Sequence, residues 1–228
     1  MIEIVGAFAG RYGGEEAADR LPEFLLSACR CLTQQRLEPD GQLLDRVEIG
    51  AVGRQVEERG PRRRDRPAPA LDLVRREVVE HHALIREGMA NTSVTCVLAG
   101  AYTWQRRWVR YEIGRSIVKG NGLLTVKIHN LQNLDGYLSN EGPNPLDHMG
   151  VYRVPDGRML LAETNAQGQW IRYEDYTQAV SLPAGWEQPA TTAPIPLSRY
   201  ARLYDYTLDG GCENFGSWAA TAAMEAAR

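Results

Sequence analysis

Residues 91–130 read NTSVTCVLAGAYTWQRRWVRYEIGRSIVKGNGLLTVKIHN. Val94 to Leu98 is almost wholly apolar, rich in β-branched side chains and closed by Gly100, the pattern of a strand covered on both faces in a parallel sheet. Leu123 to Ile128 repeats that pattern. Between them, Arg106 to Lys119 carries Val109, Ile113 and Ile117 at spacings of four, which predicts a helix with one apolar stripe. Gly120-Asn121-Gly122 supplies its left-handed stop. Strand, helix and strand in so short a span make a βαβ unit, whose crossover should be right-handed.

Along that helix, Glu112 stands beside Ile113 at the shoulder of the apolar stripe and four residues after Trp108, so the carboxylate and the indole share one face. In one reading this is a substrate clamp at the edge of a core. In the other it is a surface glutamate paired with one of Arg106, Arg107, Arg110 and Arg115. The WxxxE spacing alone does not separate the two.

The motifs NTSVTCVLAG, RRWVRYEI, KGNGLL and IHN within residues 91–130, with GPNPLD at 142–147, YDY at 204–206 and NFGSW at 214–218, resemble the ThsB-type TIR-like proteins of the Thoeris anti-phage system. The match runs over roughly residues 84 to 218. It implies an α/β fold, a flavodoxin-like (TIR-like) parallel sheet flanked by helices. It also implies cleavage of NAD at the nicotinamide–ribose bond, yielding a cyclic or rearranged ADP-ribose signal for a ThsA-like effector. NAD is then substrate, and no cofactor is called for. Self-association is a further expectation, since TIR enzymes often assemble. The family's WxxxE glutamate is its catalytic residue, and the matching position is Glu112. The alternative is a non-catalytic TIR-like module that binds a nucleotide or a partner.

A single carboxylate suits this chemistry. Nicotinamide is a good leaving group, the transition state resembles an oxocarbenium ion, and a nearby carboxylate binds ribose hydroxyls and stabilises the developing charge. Cyclisation also requires a pocket that folds the ligand back on itself, for which aromatic surfaces are suited. Tyr102, Trp104, Trp108 and Tyr111 lie close to Glu112 in sequence, and each is equally able to be a packing residue. Phe8 at the end of the first strand joins them as a substrate-binding candidate. So does His129, which ends a strand on the side where α/β sheets bind ligands. There it either assists proton transfer or hydrogen-bonds the Gly142 to Asp147 loop.

The N-terminal third departs from the family. The expected Phe-Phe-Ser-Phe-like opening is replaced by MIEIVGAFAGRYGGEE, and no tryptophan precedes Trp104, so the family's Trp-Glu pair is missing. Ile2 to Phe8 still reads as a first strand, with Gly10, Gly13 and Gly14 in a loop able to approach phosphate through backbone N–H groups. That spacing is neither a Walker A nor a dinucleotide fingerprint. Residues 15–37 and the segment from Leu71 to Ile85 have helical periodicity, and residues 53–70, ending RGPRRRDRPAPA, read as a flexible Arg/Pro-rich loop. Residues 1–148 are taken as the TIR-like α/β domain, divergent over 1–83, and 149–228 as a C-terminal extension packed on it.

In that extension, turns at Pro155-Asp156-Gly157 and Asn165-Ala166-Gln167-Gly168 separate three short strands, Gly150 to Val154, Met159 to Glu163 and Trp170 to Tyr173, into a C-terminal β-meander. A Pro-rich extended run follows. Asn214 to Ala227 reads as a closing helix capped at Glu213 or Asn214, with Phe215, Trp218, Ala222 and Met224 on its buried side.

Composition bounds the rest. With 228 residues, 43% of them hydrophobic, the chain can bury an ordinary core. A net charge of −3 gives no drive towards nucleic acid or membrane, and acidic residues interrupt the arginine run. No long apolar run or signal-peptide pattern occurs, so a cytoplasmic location is expected, and with it no disulfide among Cys29, Cys31, Cys96 and Cys212. Adjacent His81 and His82 lack a completing ligand set, so no metal is expected there. No Gly-x-Ser-x-Gly context supports a serine hydrolase.

Overall fold

Strands buried on both faces need layers on both sides, and the chain supplies them from distant segments. The computed structural model describes residues 2–5, 89, 91–132 and 137–227. Ile2–Val5 is β1 and Val94–Ala99 is β2. Helix α1 spans Arg107–Lys119, and Gly122–Lys127 forms β3. The expected βαβ unit is therefore present. β1 lies parallel to β2, with Ile2 opposite Val94, and β3 lies parallel on the other side, with Val94 opposite Gly122. The expected continuation to Phe8, the helices at 15–37 and from Leu71, and the 53–70 loop fall outside the described residues.

The second sheet is antiparallel. Its strands are β4 (Met149–Arg153), β5 (Met159–Thr164), β6 (Trp170–Arg172) and the two-residue β7 (Ile195–Pro196), in the order β6-β5-β4-β7. The first three are the expected meander. Gly157 (φ 88°) and Gly168 (φ 74°) take the left-handed turn positions that the sequence marks. The Pro-rich run supplies β7 at the edge beside β4, the place in a sheet where a residue without N–H is tolerated.

A strand at Arg202–Asp205, β8, was not foreseen. It pairs parallel with β3, Leu124 opposite Arg202, and gives the parallel sheet the order β1-β2-β3-β8. Helix α2 (Gly211–Ala226) follows.

Alternation along β2 and β3 divides the core in two. Val97 and Leu123 join Val109, Ile113 and Ile117 of α1, together with Met149, Val151 and Leu161 of the second sheet. Val94, Cys96, Leu98, Leu124 and Val126 point the other way, against Phe215, Trp218, Ala219 and Ala222 of α2. Burying each Val, Leu, Ile, Met or Phe among these stabilises by roughly 1.5–3 kcal/mol. α1 lies between the two sheets: a Cβ on its Gly114 would come within 3.2 Å of Leu161 and 3.3 Å of Tyr173.

Two details of α2 correct the sequence reading. The helix starts at Gly211 rather than Asn214, because Gly210 adopts φ 64° and its carbonyl accepts from both Glu213 and Asn214 N–H. Met224 is exposed, since nine residues beyond Phe215 is about half a turn out of phase at ~3.6 residues per turn. Cys96 is free and buried in β2, and Cys29 and Cys31 fall outside the described residues. No helix among the described residues is long and apolar enough to cross a membrane.

Candidate functional site

The first turns of α1 and the loop that feeds it stand at the carboxyl end of β2, where parallel α/β sheets place their ligands. Thr103 builds the loop. Its hydroxyl accepts from Gly100 N–H at 3.0 Å and its carbonyl from Arg106 N–H at 3.1 Å. Gly142 packs its backbone against this loop, and a Cβ there would meet Gly100 O at 2.2 Å.

Glu112 is buried, with 7% of its surface exposed. One turn further along, the Ser116 hydroxyl donates to the Glu112 carbonyl at 2.8 Å and lies 2.7 Å from the Thr95 hydroxyl. Asn121 donates to Thr92 Oγ1 at 2.9 Å, and Lys119 bonds the Thr92 hydroxyl and the carbonyls of Met89 and Thr92. Thr92 and Thr95 of the NTSVT segment are thus satisfied against the last turns of α1, which fixes the register of the helix carrying Glu112.

The aromatic candidates separate into different surroundings. Trp108 and Tyr111 pack with Met89, and the Arg107 guanidinium lies 5.6 Å from the Trp108 ring centre. Trp104 turns instead to His148, on which it stacks with ring centres 4.3 Å apart. Tyr102 is 58% exposed in the loop. Phe8 is outside the described residues.

Three of the four arginines weighed as surface partners for Glu112 have other engagements. Arg107 forms a paired bond with Asp175 (2.9 and 2.6 Å), and Arg110 meets Glu163 at 2.5 Å. Arg115 lies over the Tyr176 ring. An open cleft between α1 and the second sheet is lined by Arg107, Arg110, Glu163, Tyr173, Glu174 and Asp175, but not by Glu112. Its guanidiniums are already spent on carboxylates, which makes it a poor phosphate site.

His129 follows β3, and its Nδ1 is buried without a hydrogen-bond partner, 4.0 Å from Asp205 Oδ2 at the end of β8. Asp205 accepts from Thr207 N–H, Leu208 N–H and Asn130 Nδ2. The Gly142 to Asp147 loop is held by Asn144 rather than by the His129 ring: its Oδ1 accepts from the Thr125 hydroxyl and from Leu146 N–H. Lys127 and Glu141 pair nearby, which holds the Glu141 carboxyl below its ordinary range. Sequence reasoning missed Asp205 as the neighbour of His129, although the YDY motif contains it.

A parallel sheet with a WxxxE helix after its second described strand, backed by an antiparallel meander and a closing helix, defines an α/β protein of the TIR-like class. Residues 75–133 match the family profile described as Thoeris protein ThsB, TIR-like domain. The chain is 39% identical over 139 residues to the "Putative cyclic ADP-D-ribose synthase ThsB1" of Bacillus cereus (strain MSX-D12), an alignment that covers 59% of this chain and 70% of that protein. It belongs to the ThsB-type TIR-like proteins of Thoeris.

Proposed function

We propose that the chain cleaves NAD at the nicotinamide–ribose bond and forms a cyclic or rearranged ADP-ribose, with Glu112 as the catalytic carboxylate. The observation that carries this reading is the placement of Glu112: nearly buried, on the α1 face it shares with Trp108, in the first half of a helix that starts at the carboxyl end of the sheet. The name of the Bacillus cereus relative, a cyclic ADP-D-ribose synthase, supports the same chemistry.

In this mechanism the carboxylate binds the ribose hydroxyls and stabilises positive charge on the ribose as nicotinamide departs. Trp108 and Tyr111 give the helix an aromatic flank beside that carboxylate. Water attack would yield ADP-ribose, and attack by a nucleophile within ADP-ribose would yield the cyclic product. The product would act as an anti-phage signal for a ThsA-like effector, with action in the cytoplasm and self-association as further parts of the reading.

The test is nicotinamide release from NAD by the purified chain beside Glu112→Gln, with and without lysate of phage-infected cells, the products resolved by mass. Release by the wild type, reduced at least about 100-fold in the variant, is expected for a charge-stabilising group. Equal release by both proteins would remove Glu112 from the chemistry, and none from folded wild type under either condition would turn the assignment to a nucleotide- or partner-binding module.

A further inference from the structure

We infer that Arg110 is a positioning residue for Glu112, and that the second sheet, through Glu163, Thr164 and His148, sets the geometry of the catalytic helix. The inference rests on the NAD-cleaving reading above. Arg110 reaches three acceptors from two other segments: Nε donates to Trp104 O at 3.0 Å, and Nη1 to Glu163 Oε2 at 2.5 Å and Thr164 O at 3.1 Å. The circuit then closes on itself. The Thr164 hydroxyl is 2.7 Å from His148 Nδ1, and the His148 ring stacks on the Trp104 indole.

This circuit ties together the loop after β2, the second turn of α1 and the end of β5. The Arg110 and Glu163 side chains are 13% and 20% exposed, so the pair lies mostly buried at the base of the cleft, where its hydrogen bonds favour one arrangement. Arg110 and Glu112 are two residues apart and project about 200° apart round the helix. Anchoring the Arg110 side to the second sheet therefore fixes the rotation of α1 and turns Glu112 to the opposite side. The same anchor holds Trp104 and its loop at the carboxyl end of the sheet. A guanidinium is needed because its planar fork serves several acceptors at once, which a lysine ammonium on a flexible stem does not reproduce.

The test uses two substitutions. Arg110→Lys keeps the charge and loses the fork. Thr164→Val keeps the size, leaves the Thr164 carbonyl to Arg110, and removes only the hydroxyl that holds His148, so it remains decisive if Arg110→Lys fails to fold. Nicotinamide release is measured for wild type, Glu112→Gln and both variants, with amide hydrogen exchange followed by mass spectrometry. A displaced catalytic group should lower kcat by about tenfold or more in Arg110→Lys, and by a smaller factor in Thr164→Val, while KM for NAD stays within about twofold. Exchange should quicken in peptides covering residues 101–112 and stay unchanged over β3. Glu112-dependent release with wild-type kcat in whichever of Arg110→Lys and Thr164→Val folds would overturn the positioning role alone. Faster exchange spread evenly over the chain would overturn it too, as general loosening. Absence of Glu112-dependent release from wild type would remove the NAD reading, and this inference with it.

Discussion

His148 shows how one side chain records the company it keeps. Burial, and then the positive charge of Arg110, hold its pKa below the ordinary histidine value, with Asp147 opposing in part. The Arg110 charge is itself paired with Glu163, and Trp104 covers the imidazole face. The native state therefore resists the proton that an unfolded histidine accepts near its ordinary pKa of about 6.5. As pH falls from above that value towards the lowered native pKa, the unfolded chain binds more protons and stability declines across that window. His148→Phe preserves the stack on Trp104 and removes the titrating group. Urea denaturation between about pH 7 and about pH 5 should show a shallower loss of stability for the variant than for wild type. Parallel slopes would mean that the histidine remains as easily protonated in the fold as outside it.

Between elements, the deciding contacts are backbone approaches that only glycine allows. β3 begins at Gly122, where a Cβ would fall 2.2 Å from the carbonyl oxygen of Ala222 in α2. Because the obstacle is helix backbone rather than a movable side chain, Gly122→Ala should push α2 off the sheet and destabilise the protein by about 1–3 kcal/mol. A fall of the urea midpoint without a change of slope checks this, and an unchanged midpoint would show that the helix shifts freely. Whether such contacts can be read from sequence depends on how local they are. β2, α1 and β3 were legible because their side chains repeat with the periods of strand and helix, and the meander because glycine marks its turns. β8 was not: Arg202 and Leu203 are exposed, and its place in the sheet comes from pairing with a strand far back in the chain. The candidate site divides in the same way. The shared face of Trp108 and Glu112 follows from helix spacing, whereas the stacking of Trp104 on His148 and the bond from Arg110 to Glu163 depend on a second sheet that spacing cannot dock.

For the whole molecule, the order of the strands means that the parallel sheet is completed last. One face of it, formed by Val94, Cys96, Leu98, Leu124 and Val126, is covered by Phe215, Trp218, Ala219 and Ala222, with Tyr204 stacked on Trp218 at 4.2 Å. Trp186, stacked on Tyr200, also donates its Nε1–H to the carbonyl of Glu225, so the tail of α2 is fastened to the second sheet's side as well. A chain ending at Tyr200 would lose β8, α2 and both attachments. At roughly 1.5–3 kcal/mol for each apolar side chain left uncovered, the loss is as large as the ~5–15 kcal/mol that separates folded from unfolded domains. Such a truncation is expected to aggregate or to bind a hydrophobic dye, with no cooperative thermal transition. The alternative is that residues 201–228 are an appendage on a self-sufficient unit. A truncated protein that elutes as a monodisperse species and melts cooperatively near the full-length temperature would establish that alternative. It would also require the face of β2 and β3 to be covered by something other than α2.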